Sequence, residues 1–268
     1  MKNRLTSLLI GLFLFAGALG LAEIFPGLRP YLPNFKTLIA DLKGESSYRY
    51  EPPVSSTNMP HTKKSDKTIP PQEVVLALSW TTAFCETAPK KRECKSQKPG
   101  RYDVTHFALH GLWPEGQYCS QIPYRNVSDQ LWKGMQKIMP GTASGLHKHE
   151  WKKHGTCYSD TPERYYADSL RLTNAINETS VRDLFKSNIG KRISTHDIRA
   201  AFDASFGKGT GERVLVHCVR DKGRTLIQEL RIGLKGDIAS ANLPVLLKQA
   251  RHKKRGCKGG IIDAVGHQ

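Results

Sequence analysis

His149-Glu150-Trp151-Lys152-Lys153-His154-Gly155-Thr156-Cys157 and, upstream, Phe107-Ala108-Leu109-His110-Gly111-Leu112-Trp113-Pro114 are the two segments from which this chain of 268 residues is best read. Wound as an α-helix at about 100° per residue, the first segment puts His149 at the origin, Lys153 at about 40°, Glu150 at about 100° and His154 at about 140°. Two imidazoles, a carboxylate and an ammonium then share one arc, while Trp151 and Lys152 point elsewhere. Gly155 reads as the stop of that helix. A zinc hydrolase needs His-Glu-x-x-His, with its imidazoles four residues apart on one face. Lys153 stands in that fifth position and the second histidine falls one residue late. A cation thus occupies the place of a ligand, and neither a metal site nor a cofactor is assigned.

Working outward, Val74–Trp80 is a short apolar run with β-branched residues and reads as a buried strand. Val104–Trp113 is a second apolar segment, interrupted by His106 and His110. Ser128 can cap a helix in which Leu131, Trp132, Met135, Ile138 and Met139 fall at helical spacing. Leu146–His154 reads as helical. Thr161-Pro162 opens another helix, with proline in the first turn where its missing N–H is harmless. Further helices are predicted at Val181–Lys186 and Thr195–Phe206, the latter ending before Gly207, and strands at Val214–Val219 and Thr225–Leu234. Strands and helices mix without a regular βαβ alternation, so the fold class is α+β.

The chain carries 41 Lys+Arg against 24 Asp+Glu, net +17. Such an excess favours an acidic partner: nucleic acid, an anionic membrane surface or another polyanion. Residues 1–71 hold nine basic and five acidic side chains, leaving 32 and 19 for residues 72–268, so most of the positive charge lies beyond residue 71. Lys2 and Arg4, the apolar run Leu5–Ala22 and small residues at Ala18, Gly20 and Ala22 read as a signal peptide, or as a signal anchor tethering the chain to a membrane through residues 5–22. Residues 23–71 contain eight of the fifteen prolines and no cysteine, and read as a linker. The domain is therefore placed at 72–268. It holds all six cysteines, Cys85, Cys94, Cys119, Cys157, Cys218 and Cys257, which behind an export signal imply three disulfides in a secreted or periplasmic protein. Their pairing is not readable from spacing.

Two histidines can act as general base and general acid at moderate pH, and a nearby ammonium can stabilise an anionic transition state. RNA supplies its own nucleophile, the 2′-hydroxyl beside the phosphodiester. An enzyme then needs only to deprotonate that oxygen, protonate the leaving 5′-oxygen and neutralise the developing charge. DNA lacks the hydroxyl and should resist such chemistry. A basic domain attracts phosphate.

Together the two segments resemble the paired active-site motifs of the ribonuclease T2 family of secreted endoribonucleases. Phe-x-x-His-Gly-Leu-Trp-Pro is matched in full by 107–114, and His-Glu-Trp-x-Lys-His-Gly-Thr-Cys by 149–157. The resemblance covers about residues 72–260 and implies a single domain with a central antiparallel sheet and surrounding helices. It implies that His110 and His154 are the acid–base pair, with His154 the base for the 2′-hydroxyl and His110 the acid for the leaving oxygen. His149 would bind phosphate, and Glu150 and Lys153 would stabilise the pentavalent transition state. Cleavage would run through a 2′,3′-cyclic phosphate towards a 3′-phosphate, without a cofactor. The implied disulfides are Cys85–Cys94, Cys119–Cys157 and Cys218–Cys257. Trp113 is a candidate for stacking on a base, with Glu115 and Tyr118 as further base-binding candidates. His106, His147, His196 and His217 are read as structural or solvated. Arg251–Arg255 and Lys258 form either a phosphate contact or a solvated basic face. The expected state is a monomer, and the alternative function is a non-catalytic RNA- or polyanion-binding module on the same scaffold.

Overall fold

The structure, a computed structural model, describes residues 72–266. The leader and linker expected at 1–71 lie outside the described residues. The described chain builds an α+β domain on a six-stranded sheet. Strand β1 (Gln72–Ser79) lies between β2 (Ala108–Pro114) and β5 (Arg224–Gly236), antiparallel to both. Strand β4 (Val214–Asp221) pairs antiparallel with the far edge of β5 through a tight hairpin. Its turn residues Lys222 and Gly223 have φ of 44° and 82°, the left-handed conformation such a turn demands. Where β1 ends, β5 takes up β6 (Gly259–Ile261) by a parallel pairing of Leu226 with Ile261, and β3 (Arg192–Ser194) pairs with β6. The sheet is thus antiparallel through its main strands and mixed at the β6 edge.

The period of two along the strands separates two faces. Val74, Leu76 and Leu78 of β1, Val214 and Val216 of β4, and Leu230, Ile232 and Leu234 of β5 are buried in the core. The opposite face brings up Ser79, His217 and Glu229 in one row and Arg231 in the next, since Glu229 stands opposite both Ser79 and His217. Strand β2 must serve both faces. Between Ala77 and Leu78 its register slips by one residue: Gly111 stands opposite Ala77, Leu109 opposite Leu78, and His110 is the extra residue of a β-bulge. The slip lets Leu109 and Leu112 both enter the core while His110 points to the polar face. A second slip, at Gln228 opposite the His217/Cys218 step, lies alongside Glu229.

Strand β2 is an edge strand, and its outer polar groups are covered by helix Pro162–Asn177. The Asn177 amide accepts from the Phe107 N–H (2.9 Å) and donates to the Phe107 carbonyl (2.9 Å). The Tyr165 hydroxyl donates to the Leu112 carbonyl (2.9 Å) and accepts from its N–H (3.2 Å). These two clamps bracket His110. The helix begins as expected, with the Thr161 hydroxyl accepting from the Arg164 N–H and Pro162 in its first turn. Ser128 caps Asp129–Ile138 in the same way, and Ser194 and Asp197 form a reciprocal capping box for Thr195–Phe206, which ends at Gly207 with φ of 102°. Helix Ser180–Ser187 matches expectation, and its Phe185 packs with Phe107 and Trp80 in one aromatic cluster. The helices Thr81–Thr87 and Leu243–Gln249 and the short strands β3 and β6 were not expected.

All three disulfides form in the pairing that the resemblance implies: Cys85–Cys94, Cys119–Cys157 and Cys218–Cys257. The 38- and 39-residue separations of the latter two correspond to about 4 kcal/mol each of loop-closure stabilisation in the chain-entropy view. Among the described residues no helix is long and apolar enough to cross a membrane. Replacing Asn177 by Ala is expected to leave the N–H and carbonyl of Phe107 buried without partners, at a cost of about 2–3 kcal/mol in denaturant unfolding.

Candidate active site

The segment carrying the second motif is not a uniform helix. Leu146–Glu150 is α-helical, Trp151–Gly155 is a π-helical turn, and Thr156–Tyr158 is α-helical again. The expected stop at Gly155 is therefore corrected, because its backbone stays helical (φ −61°, ψ −38°). Gly155 is small for another reason: a Cβ there would overlap the Trp151 ring and press on Tyr165. The wider π turn also alters the angular picture, since i→i+5 bonding winds fewer degrees per residue than an α-helix. It buries Trp151 and His154 together while leaving Lys152 exposed. Trp151 is anchored by its Nε1–H to the Ile122 carbonyl (3.0 Å). The Cys119–Cys157 bridge and a hydrogen bond from the Tyr118 N–H to the Lys153 carbonyl (2.8 Å) tie the loop after β2 to this segment.

Glu150 joins the two motifs. It is 2% exposed, and its Oε2 accepts from Trp113 Nε1–H at 2.8 Å, while its Oε1 lies 3.8 Å from His110 Nε2. The Trp113 ring stands edge-on to His110 (5.1 Å between centroids) and lies tilted against His154 (5.4 Å), so it touches both imidazoles. Arg231 covers that ring, its Cζ 5.5 Å from the centroid. On the other side of His110, Nδ1 lies 2.6 Å from Glu229 Oε2, and Glu229 Oε1 accepts from Arg231 Nε–H at 2.7 Å.

The surroundings drive the two histidines in opposite directions. Burial works against charge on His110, but the hydrogen bond and charge of Glu229, with Glu150 adding, outweigh it and raise its pKa above the ordinary histidine value. Burial, Lys153, His149 and His110 depress His154 to about 4. Its Nδ1 is buried and, among the described residues, has no hydrogen-bond partner. Burial lifts the Glu150 carboxyl above the usual range, opposed by His110 and the Trp113 N–H. Burial would also lift Glu229, but His110 and Arg231 hold it below the usual range. These surroundings favour the charged form of His110 and the neutral form of His154.

The sequence matches the Ribonuclease T2 family over residues 72–246. The chain belongs to the ribonuclease T2 family. Ribonuclease I of Escherichia coli is 27% identical over 235 residues, spanning 72% of this chain and 86% of that protein. Extracellular ribonuclease LE of Solanum lycopersicum is 31% identical over 181 residues, spanning 56% and 76%. The fold is that of RNase NT, solved in complex with 5′-AMP: 20% identity, 71% of this chain, 96% of that one and a TM-score of 0.52. The protein is an endoribonuclease of the T2 type.

Within this ribonuclease, a cavity of about 570 Å³ opens beside His110, between Ser79, Glu229 and Arg231 of the sheet and Leu146 and His149 of the helix. His149 is exposed and Lys153 half-buried. Glu115 and Tyr118 lie on the exposed loop after β2 and do not line this cavity. His147 is buried between Tyr124 and Trp132, His106 stacks on Tyr102 and His196 is exposed, as structural or solvated residues would be. His217 is different, because it lines the cavity opposite Glu229. In the basic run, Arg251 pairs with Glu73 (3.2 Å) and the Lys253 backbone is held by Arg199 and Glu212. Among the described residues no three of His, Cys, Asp and Glu are grouped to hold a metal ion. The sequence reading missed Glu229 and Arg231. Alternation along β5 could have flagged Glu229, Arg231 and Lys235 on the face opposite Leu230, Ile232 and Leu234, though not what they face.

Gly111 of the first motif is fixed by this geometry, since a Cβ there would overlap the Glu150 carboxylate and press on Trp113 Nε1. Gly111→Ala is expected to break the Trp113–Glu150 hydrogen bond. Stability should fall by about 1–3 kcal/mol, and kcat for RNA by about 100-fold from displacement of Trp113 and Glu150 beside His110. Thermal unfolding and steady-state kinetics measure the two effects.

Proposed function

We propose that the protein cleaves RNA without a metal ion, by transesterification to a 2′,3′-cyclic phosphate, with His154 as general base and His110 as general acid. Neutral His154 takes the proton of the 2′-hydroxyl through Nε2, its Nδ1 being sealed in the core. The 2′-oxygen attacks phosphorus, and cationic His110 delivers its proton to the departing 5′-oxygen. In a second step the roles reverse: neutral His110 activates water, and protonated His154 releases the 2′-oxygen to leave a 3′-phosphate. The observation that carries this reading is the pair of imidazoles biased to opposite protonation states and both in contact with Trp113.

Lys153 and His149 supply positive charge to the phosphate at the rim, and Glu150 holds Trp113 in place and faces the His110 Nε2 side. Trp113 is partly exposed, and the part of its ring that Arg231, His110 and His154 leave open is offered to a base. Glu115 and Tyr118 supply base contacts only by way of the loop that Cys119–Cys157 secures. Export fits three disulfides, which persist in oxidising compartments, and a relative named as extracellular. Residues 1–22 then act as signal peptide or anchor and 23–71 as linker, and the domain works as a monomer.

The pH dependence follows from the two imidazoles. Falling pH protonates His154 and removes the base, so kcat/KM should fall below about pH 4. Rising pH deprotonates His110 and removes the acid, so the alkaline limb should lie above the ordinary histidine value. A profile measured on a dinucleotide checks both limbs. In EDTA, an RNA oligonucleotide should yield cyclic phosphate ends while the matched DNA stays intact. Loss of cleavage on chelation, or binding of RNA with no product at any pH, overturns the reading.

A further inference from the structure

We propose that Glu229 is the positioning residue for the general acid: its buried carboxylate holds His110 by Nδ1, so that Nε2 is the nitrogen that delivers the proton. This rests on the assignment of His110 as acid and extends it to a residue 119 positions away in sequence, outside both motifs.

The contact is short and enclosed. Glu229 is 5% exposed and its Oε2 lies 2.6 Å from His110 Nδ1. An ionised carboxylate only accepts hydrogen bonds, so Nδ1 must donate. The titrating position of His110 is then Nε2, which carries the proton in the cation and a lone pair in the neutral ring. Glu150 cannot take over this role. Its Oε2 is engaged by Trp113, and its Oε1, on the Nε2 side, stands 3.8 Å away, beyond hydrogen-bond reach. The charged and titratable groups around His110 are Glu229 and Arg231 from β5, His217 from β4, and His149, Glu150, Lys153 and His154 from the helical segment. Lys91 and Glu93 line the far side of the cavity. Of these, only Glu229 makes a hydrogen bond to the ring.

The Glu229 carboxylate is itself held. Arg231 binds Oε1 from two residues along the same strand, and the guanidinium rests against Trp113. Both side chains rise on the polar face because β5 alternates, and the bulge in β2 brings His110 over to meet them. A carboxylate that orients an imidazole by its second nitrogen fixes both tautomer and direction, as in other acid–base constellations.

The test compares Glu229→Gln and Glu229→Asp with wild type on RNA and on a uridine 3′-phosphate ester with a nitrophenolate leaving group. Glu229→Gln should move the alkaline limb of kcat/KM down by about one pH unit or more, because the partner's negative charge is lost. Its kcat on RNA should fall about 10–100-fold with KM nearly unchanged, and Glu229→Asp should recover part of both effects. The nitrophenolate ester needs no proton on its leaving oxygen, so its turnover should change little. An alkaline limb that stays in place in folded Glu229→Gln overturns the proposal. His110→Ala serves as the reference: if it keeps wild-type turnover of RNA, the assignment of His110 as acid fails instead. Nitrogen-15 NMR of the wild-type His110 ring covers the case in which the variants do not fold. Protonation of the neutral ring at Nδ1 supports the proposal, and protonation at Nε2 overturns it.

Discussion

Strand β2 has to face two ways within four residues. Leu109 and Leu112 must both reach the core, and His110 between them must reach the opposite face of the sheet. A regular strand alternates and cannot do this, so an extra residue is inserted and the register slips at His110. The bulge lies on an edge strand, where it would be free to relax. The Asn177 amide at Phe107 and the Tyr165 hydroxyl at Leu112 prevent that by taking both backbone polar groups at each end of the segment. The rest of the site follows from this. Glu229, Arg231 and Glu150 can meet His110 only if the ring is on that face and held there.

The two imidazoles differ in the company they keep. His110 stands among carboxylates and is biased to carry a proton. His154 is enclosed beside cations and is biased to give its proton up. Trp113 touches both and is bonded by its N–H to the Glu150 carboxylate, which itself stands near His110. One buried carboxylate and one indole thus tie the strand motif to the helical motif. The Cys119–Cys157 bridge does the same covalently at the outer end, so the relative placement of the two imidazoles is set twice.

Much of the framework was legible in the sequence because it is written in local signals. Thr161-Pro162, Ser128 and Gly207 mark helix ends by chemistry confined to a few neighbouring residues, and each acts as read. The runs at Val74–Trp80 and Thr225–Leu234 show the β-branched composition of buried strands. Gly155 misled for a physical reason. Glycine after a helical run looks like a stop, but here its missing side chain makes room for Trp151 inside a π turn, and no local signal distinguishes the two uses. Three-residue strands such as β3 and β6 carry no periodicity at all. His217 reads in sequence as structural or solvated because nothing in its own strand reveals that Glu229 stands opposite.

By itself the sequence determined the chemical inventory: two histidine motifs, six cysteines, a basic domain and hence the family and its class of reaction. These depend on which groups are present and on short-range order, which a linear text preserves. Only the tertiary structure decided how the groups act. The bulge that turns His110 outward and the Glu229–Arg231 pair beside it are contacts between segments far apart in the chain, and the π turn buries His154 within the fold they build. A proton's preferred site is set by the burial and charge around it, and those are properties of the folded neighbourhood, not of the residue.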